Sequence, residues 1–423
     1  MRPVWPVPAP QTPHPKKVPF VKLLVISHMY PSPRDHFGGI FVHQQVRALS
    51  KLCDVKVISP KPWAPRMLWL RRKWRQYGRD PDRDILDGIE VFYPKMLHFP
   101  RSFTMQWYGY YMYWAIRQLV AGIEAHFEFD LIHCHVALPD GFGGMLVNKR
   151  YNRKLVVSVH GQDLARTVFR NRACRAAVER VFAQADAVVT VSSKLANMAS
   201  GHCSQSCRIR TISDGVYLDQ VARPEPQLRA RYGGADILLA VGSLIQTKGF
   251  DLLLEALAKV VKRTPNVKLV VIGSGPQEHK LKALAARLGL KQHVDFLGLL
   301  PHHEVMRFMA VCDVFVLPSY SEGFGVVYLE AMASGKPVIA CRGEGIEDVV
   351  EDGKSGLLVR PRDAVDVERA LSKLLADETC RRAMGDRARK RAQGFTWEIV
   401  AQQTMDLYRE LLDSGGGTEG AGL

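Results

Sequence analysis

Nowhere in this 423-residue chain does an apolar run reach about 18 residues without a charge, which argues against a spanning helix. The N-terminus lacks the charged-then-apolar order of a secretory signal, so the expectation is a protein made and kept in the cytosol. A disulfide scaffold is missing too, since the eight cysteines are scattered as reduced thiols usually are. Only Cys203 and Cys207 stand close together, and they lack the second ligand pair that a metal site would need. Acidic residues are scarce in one half alone. Residues 1–217 carry 31 Lys+Arg against 15 Asp+Glu and residues 218–423 carry 27 of each, so the whole excess of +16 lies in the first half. A basic half suggests an anionic partner, either nucleic acid or a membrane surface.

What is present is a core: 47% apolar residues lie well outside the disordered range, and the length predicts two or three domains. Residues 1–19 are too rich in proline to enter a core and are expected to be a flexible leader or to precede the true start. From Val21, short apolar runs alternate with helical stretches (VKLLVIS then HQQVRALSKL; DLIHCHV then GGMLVNKRY; DAVVTVS then SKLANMAS). The pattern restarts after a polar linker (DILLAVGS then FDLLLEALAKVVKR; VKLVVIGSG then QEHKLKALAARLG; DVFVLPS then VVYLEAMAS). This predicts an α/β protein of two doubly wound Rossmann-like domains, 20–217 and 235–385, joined by 218–234. A last helix within 386–412 is expected to pack back on the first domain, ahead of a disordered tail at 413–423. Open parallel sheets bind ligands beyond their strands' C-terminal ends, so the two domains should face each other across a cleft.

The chemistry is densest at strand ends of the second domain. SEGFGVVYLEAMASGKPVIA puts Glu322 after a strand and Glu330 eight residues on, inside the next helix, with Gly323 and Gly325 at the turn. The N–H groups of Gly325, Val326 and Val327 at a helix N-terminus suit a phosphate. Glu330 can reach vicinal ribose hydroxyls, although an ordinary glutamate on a capped surface helix has the same spacing. In VGSLIQTKG, Gly242 ends a strand and Lys248 follows, where an ammonium can neutralise a diphosphate. Gly273 and Gly275 end the next strand in a tight turn that lets the chain pass close to a nucleobase or phosphate.

With the glycine loop HMYPSPRDHFGGIFVHQQVRAL, HCHVALPDG, VHGQD, VTVSS, SDGV and VDFLG, these pieces make residues 21–412 resemble the retaining glycosyltransferases of family 4, which have the two-domain GT-B fold. Within that family the chain is similar to enzymes that build teichuronic acid and other surface polysaccharides. The resemblance implies that Glu322 touches the donor sugar beside Phe324, that Glu330 holds the ribose and that Lys248 contacts the diphosphate. It also implies that Gly38 and Gly39 lie against the donor phosphates and that His160 sits beside the reacting sugar with Asp163 nearby; pocket shape around Leu299, Glu322 and the glycine loops is expected to set base and sugar. Where the family usually has arginine after the glycine of VGR, this chain has Ser243, so Lys248 and the amides of Gly325 and Val326 must do more or another arginine must substitute. Glu347 and Asp348 stand where Pro-Glu is usual, which leaves the role of Asp348 open. His133 and His135 are expected on opposite faces of their strand, sharing no metal, with His135 toward the cleft.

Retention without a carboxylate nucleophile is usually explained by front-face displacement, in which the protein positions the reactants and stabilises charge. Asp80-Pro81-Asp82 and Asp82-Arg83-Asp84 spell D-x-D, but in what reads as a charged loop before a strand. No metal or other cofactor is expected beyond the nucleotide-diphosphate-sugar co-substrate.

In the first half, WAPRMLWLRRKWRQ sets Trp63, Trp69 and Trp74 among Arg66, Arg71, Arg72, Lys73 and Arg75, and five of the seven tryptophans lie between 63 and 114. Aromatic and basic residues together predict docking on an anionic membrane surface, at about 1 kcal/mol per basic residue. The plainer reading is a core helix at 107–120 plus a solvated loop. Nucleic-acid binding would leave the second-half motifs idle, so no nucleic-acid partner is expected. The expectation is a metal-independent, retaining hexosyltransferase at the inner face of the cell membrane, acting on a lipid-linked glycan. The alternatives are a UDP-sugar epimerase on the same fold and a non-catalytic relative.

Overall fold

The computed structural model describes residues 21–63, 80–99, 104–204 and 207–414. The first half lays down β1 (Lys22–Ile26), β2 (Asp54–Ile58), β3 (Lys61–Trp63), β4 (Arg83–Leu86), β5 (Ile89–Phe92), β6 (Lys95–Leu97), β7 (Leu131–His135), β8 (Lys154–Val159), β9 (Ala187–Thr190) and β10 (Ile209–Thr211). Eight of these form one sheet in the order β10-β9-β8-β7-β1-β2-β5-β4, parallel except for β4 against β5, while β3 and β6 pair separately. The second half contributes β11 (Asp236–Val241), β12 (Val267–Ile272), β13 (Val294–Gly298), β14 (Val314–Val316), β15 (Val338–Cys341) and β16 (Gly356–Val359). These form a parallel sheet in the order β13-β12-β11-β14-β15-β16. Strands such as β1 and β11 are apolar almost throughout because helices cover both faces of a parallel sheet. The expected architecture of two doubly wound domains holds. In each sheet the strand order reverses beside the first strand, opening a crevice between β1 and β7 and another between β11 and β14.

Three local features differ from the sequence reading. Asp84 lies within β4, an edge strand, rather than in a loop; Asp87 and Gly88 then close the hairpin with φ of 50° and 80°, the left-handed pair that a two-residue hairpin turn needs. The boundary placed at 385 falls inside the helix Glu378–Ala392, which stays with the second domain. Gly385 allows its close approach, since a Cβ there would lie 2.2 Å from the Gly335 carbonyl oxygen. Finally, His133 and His135 share a face, because residues two apart in a strand point the same way, and their rings stack with centroids 4.5 Å apart.

The helix Trp397–Asp413 crosses back to the first domain and buries Trp397, Val400, Met405 and Tyr408 among Val25, Val46 and Leu49. Its Tyr408 hydroxyl lies 2.5 Å from His133 Nδ1, whose Nε2 is 2.7 Å from Ser158 Oγ, so a polar chain closes inside the core. Where the chain returns it runs beside the segment by which it left: Val216 N donates to Phe395 O at 3.0 Å and Trp397 N to Val216 O at 3.3 Å. Among the described residues, no helix is long and apolar enough to cross a membrane.

Candidate active site

The crevice between β11 and β14 brings together the two residues with the most direct chemistry. Lys248 ends the short helix Gln246–Lys248 and Glu322 follows β14. Between the two loops stands Gly249, with φ of 69° and its missing Cβ only 2.3 Å from the Pro318 carbonyl oxygen, so a larger residue would drive them apart. Lys248 Nζ donates to Glu322 Oε1, and Ser319 Oγ lies 3.2 Å from the same oxygen. The pair is largely buried, which strengthens its attraction and fixes both side chains.

From the first domain, His160 follows β8 and faces this pair across a cleft of about 460 Å³. Gly323 makes the meeting possible, because a Cβ on it would lie 2.3 Å from the His160 carbonyl oxygen. His160 Nε2 is 3.1 Å from His135 Nδ1, while His160 Nδ1 is buried with no hydrogen-bond partner among the described residues. Burial lowers the His160 imidazole to about 4, so it is neutral at physiological pH and acts as a hydrogen-bonding group. His135 lies wholly behind His160 rather than at the cleft surface. Asp163 is also buried away from the cleft, accepting from Ala137 N at 2.8 Å, and desolvation pushes its carboxyl up to about 6.

The other wall fits a nucleotide. Phe324, Gly325, Val326 and Val327 line the cleft at the start of the helix Val326–Ala333, whose first amides have no acceptor within the helix. Gly325 has φ of 92° and abuts the Tyr328 ring. Glu330 reaches the cleft with its Oε1 2.7 Å from His302 Nε2. That hydrogen bond raises the His302 imidazole above its ordinary value. The sequence reading missed His302, which opens the helix His302–Val311 and has no motif around it. Gly242 and Ser243 line the wall that carries Glu330, where Lys248 is the one lysine or arginine among the described residues, and the adjoining pocket, which shares His160, Lys248 and Glu322, adds Arg166 and Lys194 from the first domain.

Other expected residues stand elsewhere. Leu299 is 63% exposed and its neighbour Leu300 lines the cleft instead, because the chain turns at Gly298 with φ of 71°. Gly273 and Gly275 pack on the backbone of Gly242 and Leu244, with Cβ positions 2.0 and 2.5 Å from those carbonyl oxygens; protein chain rather than ligand requires glycine there. Gly38 is tied by its N–H to Asp35 Oδ1 at 2.9 Å, and Gly39 starts the helix Ile40–Leu49 in the left-handed region. The cleft lining beside them is Phe37, Ile40, Phe41 and Gln44. Asp348 accepts from Ser193 N at 2.6 Å, across the domain seam. Among the described residues no group of three or more His, Cys, Asp or Glu could hold a metal ion.

Asp214 lines the cleft at 8% exposure, and desolvation pushes its carboxyl up to about 7. The folded state therefore holds this proton more tightly than the unfolded chain. Its contribution to stability is full below the ordinary carboxylate range and is lost as pH rises toward 7. Asp214→Asn, which cannot ionise, should match the wild type near pH 4 and exceed it by up to about 4 kcal/mol at pH 8. Urea unfolding at both values checks this, and an equal difference at the two pH values would count against it.

On the first domain, the helix Tyr108–Glu124 buries Tyr108, Met112, Ile116 and Val120 but exposes Tyr110 and Trp114, next to the exposed Trp107. Arg117 lies 4.2 Å over the Trp114 ring, and Lys149 and Arg150 flank the same groove. Trp69, Arg71, Arg72, Lys73, Trp74 and Arg75 lie outside the described residues.

Comparison with known proteins matches the two halves separately. A profile described as "Glycosyltransferase Family 4" covers residues 38–220 and one described as "Glycosyl transferases group 1" covers residues 224–391. The chain is 33% identical over 271 residues to a GDP-mannose-dependent alpha-(1-6)-phosphatidylinositol monomannoside mannosyltransferase of Mycolicibacterium smegmatis, covering 61% of this chain and 70% of that one. It is 29% identical over 363 residues to TuaC of Bacillus subtilis, a glycosyltransferase named for teichuronic acid biosynthesis, covering 84% and 89%. A sucrose-phosphate synthase from Thermosynechococcus elongatus shares the fold with a TM-score of 0.77 at 24% identity, covering 93% of this chain and all of that one.

Proposed function

This chain belongs to glycosyltransferase family 4, and we propose that it moves a sugar, with retention of configuration, from a nucleotide-diphosphate sugar held in the interdomain cleft to a lipid-linked surface glycan. The observation that carries this reading is the convergence of Lys248, Glu322, Glu330 and an unpaired amide turn on one wall, with the neutral His160 on the other. Lys248 and the amides of Gly325 and Val326 would receive the charge that develops on the leaving diphosphate, with no metal required. Glu330, already engaged with His302, suits vicinal ribose hydroxyls. Glu322 is committed to Lys248, so it orients the sugar rather than attacking it. The leaving oxygen then takes the acceptor's proton on the front face. His160 borders the cleft opposite this wall, where its ring can position the sugar.

A lipid-linked acceptor gives the aromatic and basic face of the helix Tyr108–Glu124 its purpose, since Trp and Tyr favour the headgroup region and Lys and Arg anionic lipid. A relative whose name includes phosphatidylinositol monomannoside supports that reading, and such a docking face would hold the chain at the inner face of the membrane. Co-sedimentation with anionic but not neutral vesicles is expected, and indifference to lipid charge would remove it.

The function itself is tested by a thermal-shift screen of UDP, GDP, ADP and their sugar conjugates in the presence of a chelator. One base should stabilise selectively, by about 2.7 kcal/mol at a hundredfold its Kd. A protein that no nucleotide stabilises is not this enzyme.

A further inference from the structure

Two segments with no assigned role meet at the Glu322 peptide. Ser192, Ser193 and Lys194 follow β9 in the first domain; Glu344 and Asp348 follow β15 in the second. Glu344 Oε2 accepts from the Glu322 backbone N–H at 2.6 Å and from Lys194 Nζ at 2.6 Å. Lys194 Nζ also lies 3.5 Å from Glu322 O. Around this centre Ser192 Oγ donates to Gly323 O at 2.7 Å, and Ser193 N donates to Asp348 Oδ2 at 2.6 Å. Glu344 is only 7% exposed, and a carboxylate so buried needs a compensating charge. That charge comes from the other domain.

We propose that Lys194 and Glu344 are positioning residues for the transfer: an ion pair completed only when the domains close, which locks the Glu322 peptide in register with His160. The proposal rests on the family reading above. With the domains apart, each group is solvated on its own surface; closure desolvates both, and each then neutralises the other. Glu344 has a second task that charge alone does not perform, because the Glu322 N–H needs an acceptor. Lys194 lines the adjoining pocket with His160, Lys248 and Glu322, but neither side chain lies on the wall formed by Glu330 and the amide turn, where the nucleotide would sit. Their loss should therefore fall on kcat and spare nucleotide affinity.

The test compares Lys194→Met, Glu344→Gln and the charge swap K194E/E344K in the full chain, using the nucleoside diphosphate selected by the thermal screen. Three quantities are read: kcat, nucleotide Kd by calorimetry, and compaction by small-angle scattering at saturating nucleotide. Lys194→Met should lower kcat at least about tenfold, keep Kd within about threefold, and give a larger radius of gyration than the wild type. Glu344→Gln keeps an acceptor for Glu322 N–H and should lose less. The swap should restore compaction but not turnover, because it sets an ammonium against a backbone donor; a purely structural pair would recover both. The proposal is overturned by Lys194→Met with kcat within twofold of the wild type, or with a loss in kcat matched by nucleotide affinity. If the protein transfers no sugar at all, the assigned function fails, whereas scattering and nucleotide affinity still decide whether the pair closes the domains.

Discussion

Alanine at Lys248 or at Glu322 is expected to lower kcat by about 10²–10³ while the protein remains folded. Lys248→Ala removes the one lysine or arginine, among the described residues, on the wall that carries Glu330 and the amide turn, because Arg166 and Lys194 stand on the first-domain side. It also leaves the Glu322 carboxylate without its ionic partner in a largely buried site, where it would repel an incoming diphosphate. Glu322→Ala keeps the cation but frees it to swing, and the donor sugar loses its acceptor. Because the two act as one pair, the double variant should be within about threefold of the worse single variant. Transfer assays with the selected donor and membrane extract measure this. A double variant that still turns over would move the reacting centre elsewhere.

Gly323→Ala should be nearly as damaging for a different reason. The added Cβ would lie 2.3 Å from the His160 carbonyl oxygen, and its backbone cannot yield without moving β8. The domains must then stay apart, and a misplacement of about 1 Å in a reacting geometry costs on the order of 10² in rate. Within the second domain the same methyl meets nothing so close, so the variant should fold and bind nucleotide as the wild type does. Normal nucleotide stabilisation combined with lost turnover is the expected signature. Full activity would mean that the contact between His160 and Gly323 is not part of the working state.

Strand-end motifs were legible because short parallel strands leave periodic apolar runs, and the polar or glycine residue that breaks a run marks the loop at the ligand end. Lys248, Glu322 and His160 stand in such loops and Glu330 in the helix that follows one, and the structure gathers all four into one cleft. What escaped depends on packing between distant segments. Glycine at 273 and 275 looks the same in a sequence whether it faces a phosphate or the carbonyls of the neighbouring strand end. His302, Lys194 and Glu344 lie on ordinary helix or loop sequence and gain meaning only from partners 28 to 150 residues away. His133 and His135 of β7 share a face because a strand repeats its facing every second residue.

The chain passes between the two domains twice, and the outgoing and returning segments are hydrogen-bonded to each other where Val216 meets Phe395 and Trp397. Two adjacent anchor points leave a body one easy rotation, about the line that joins them, and resist twist and slide. Opening and closing is then movement along a single coordinate, like a door on two pins. Such a double crossing favours one alignment of the halves, where a flexible single tether would allow many.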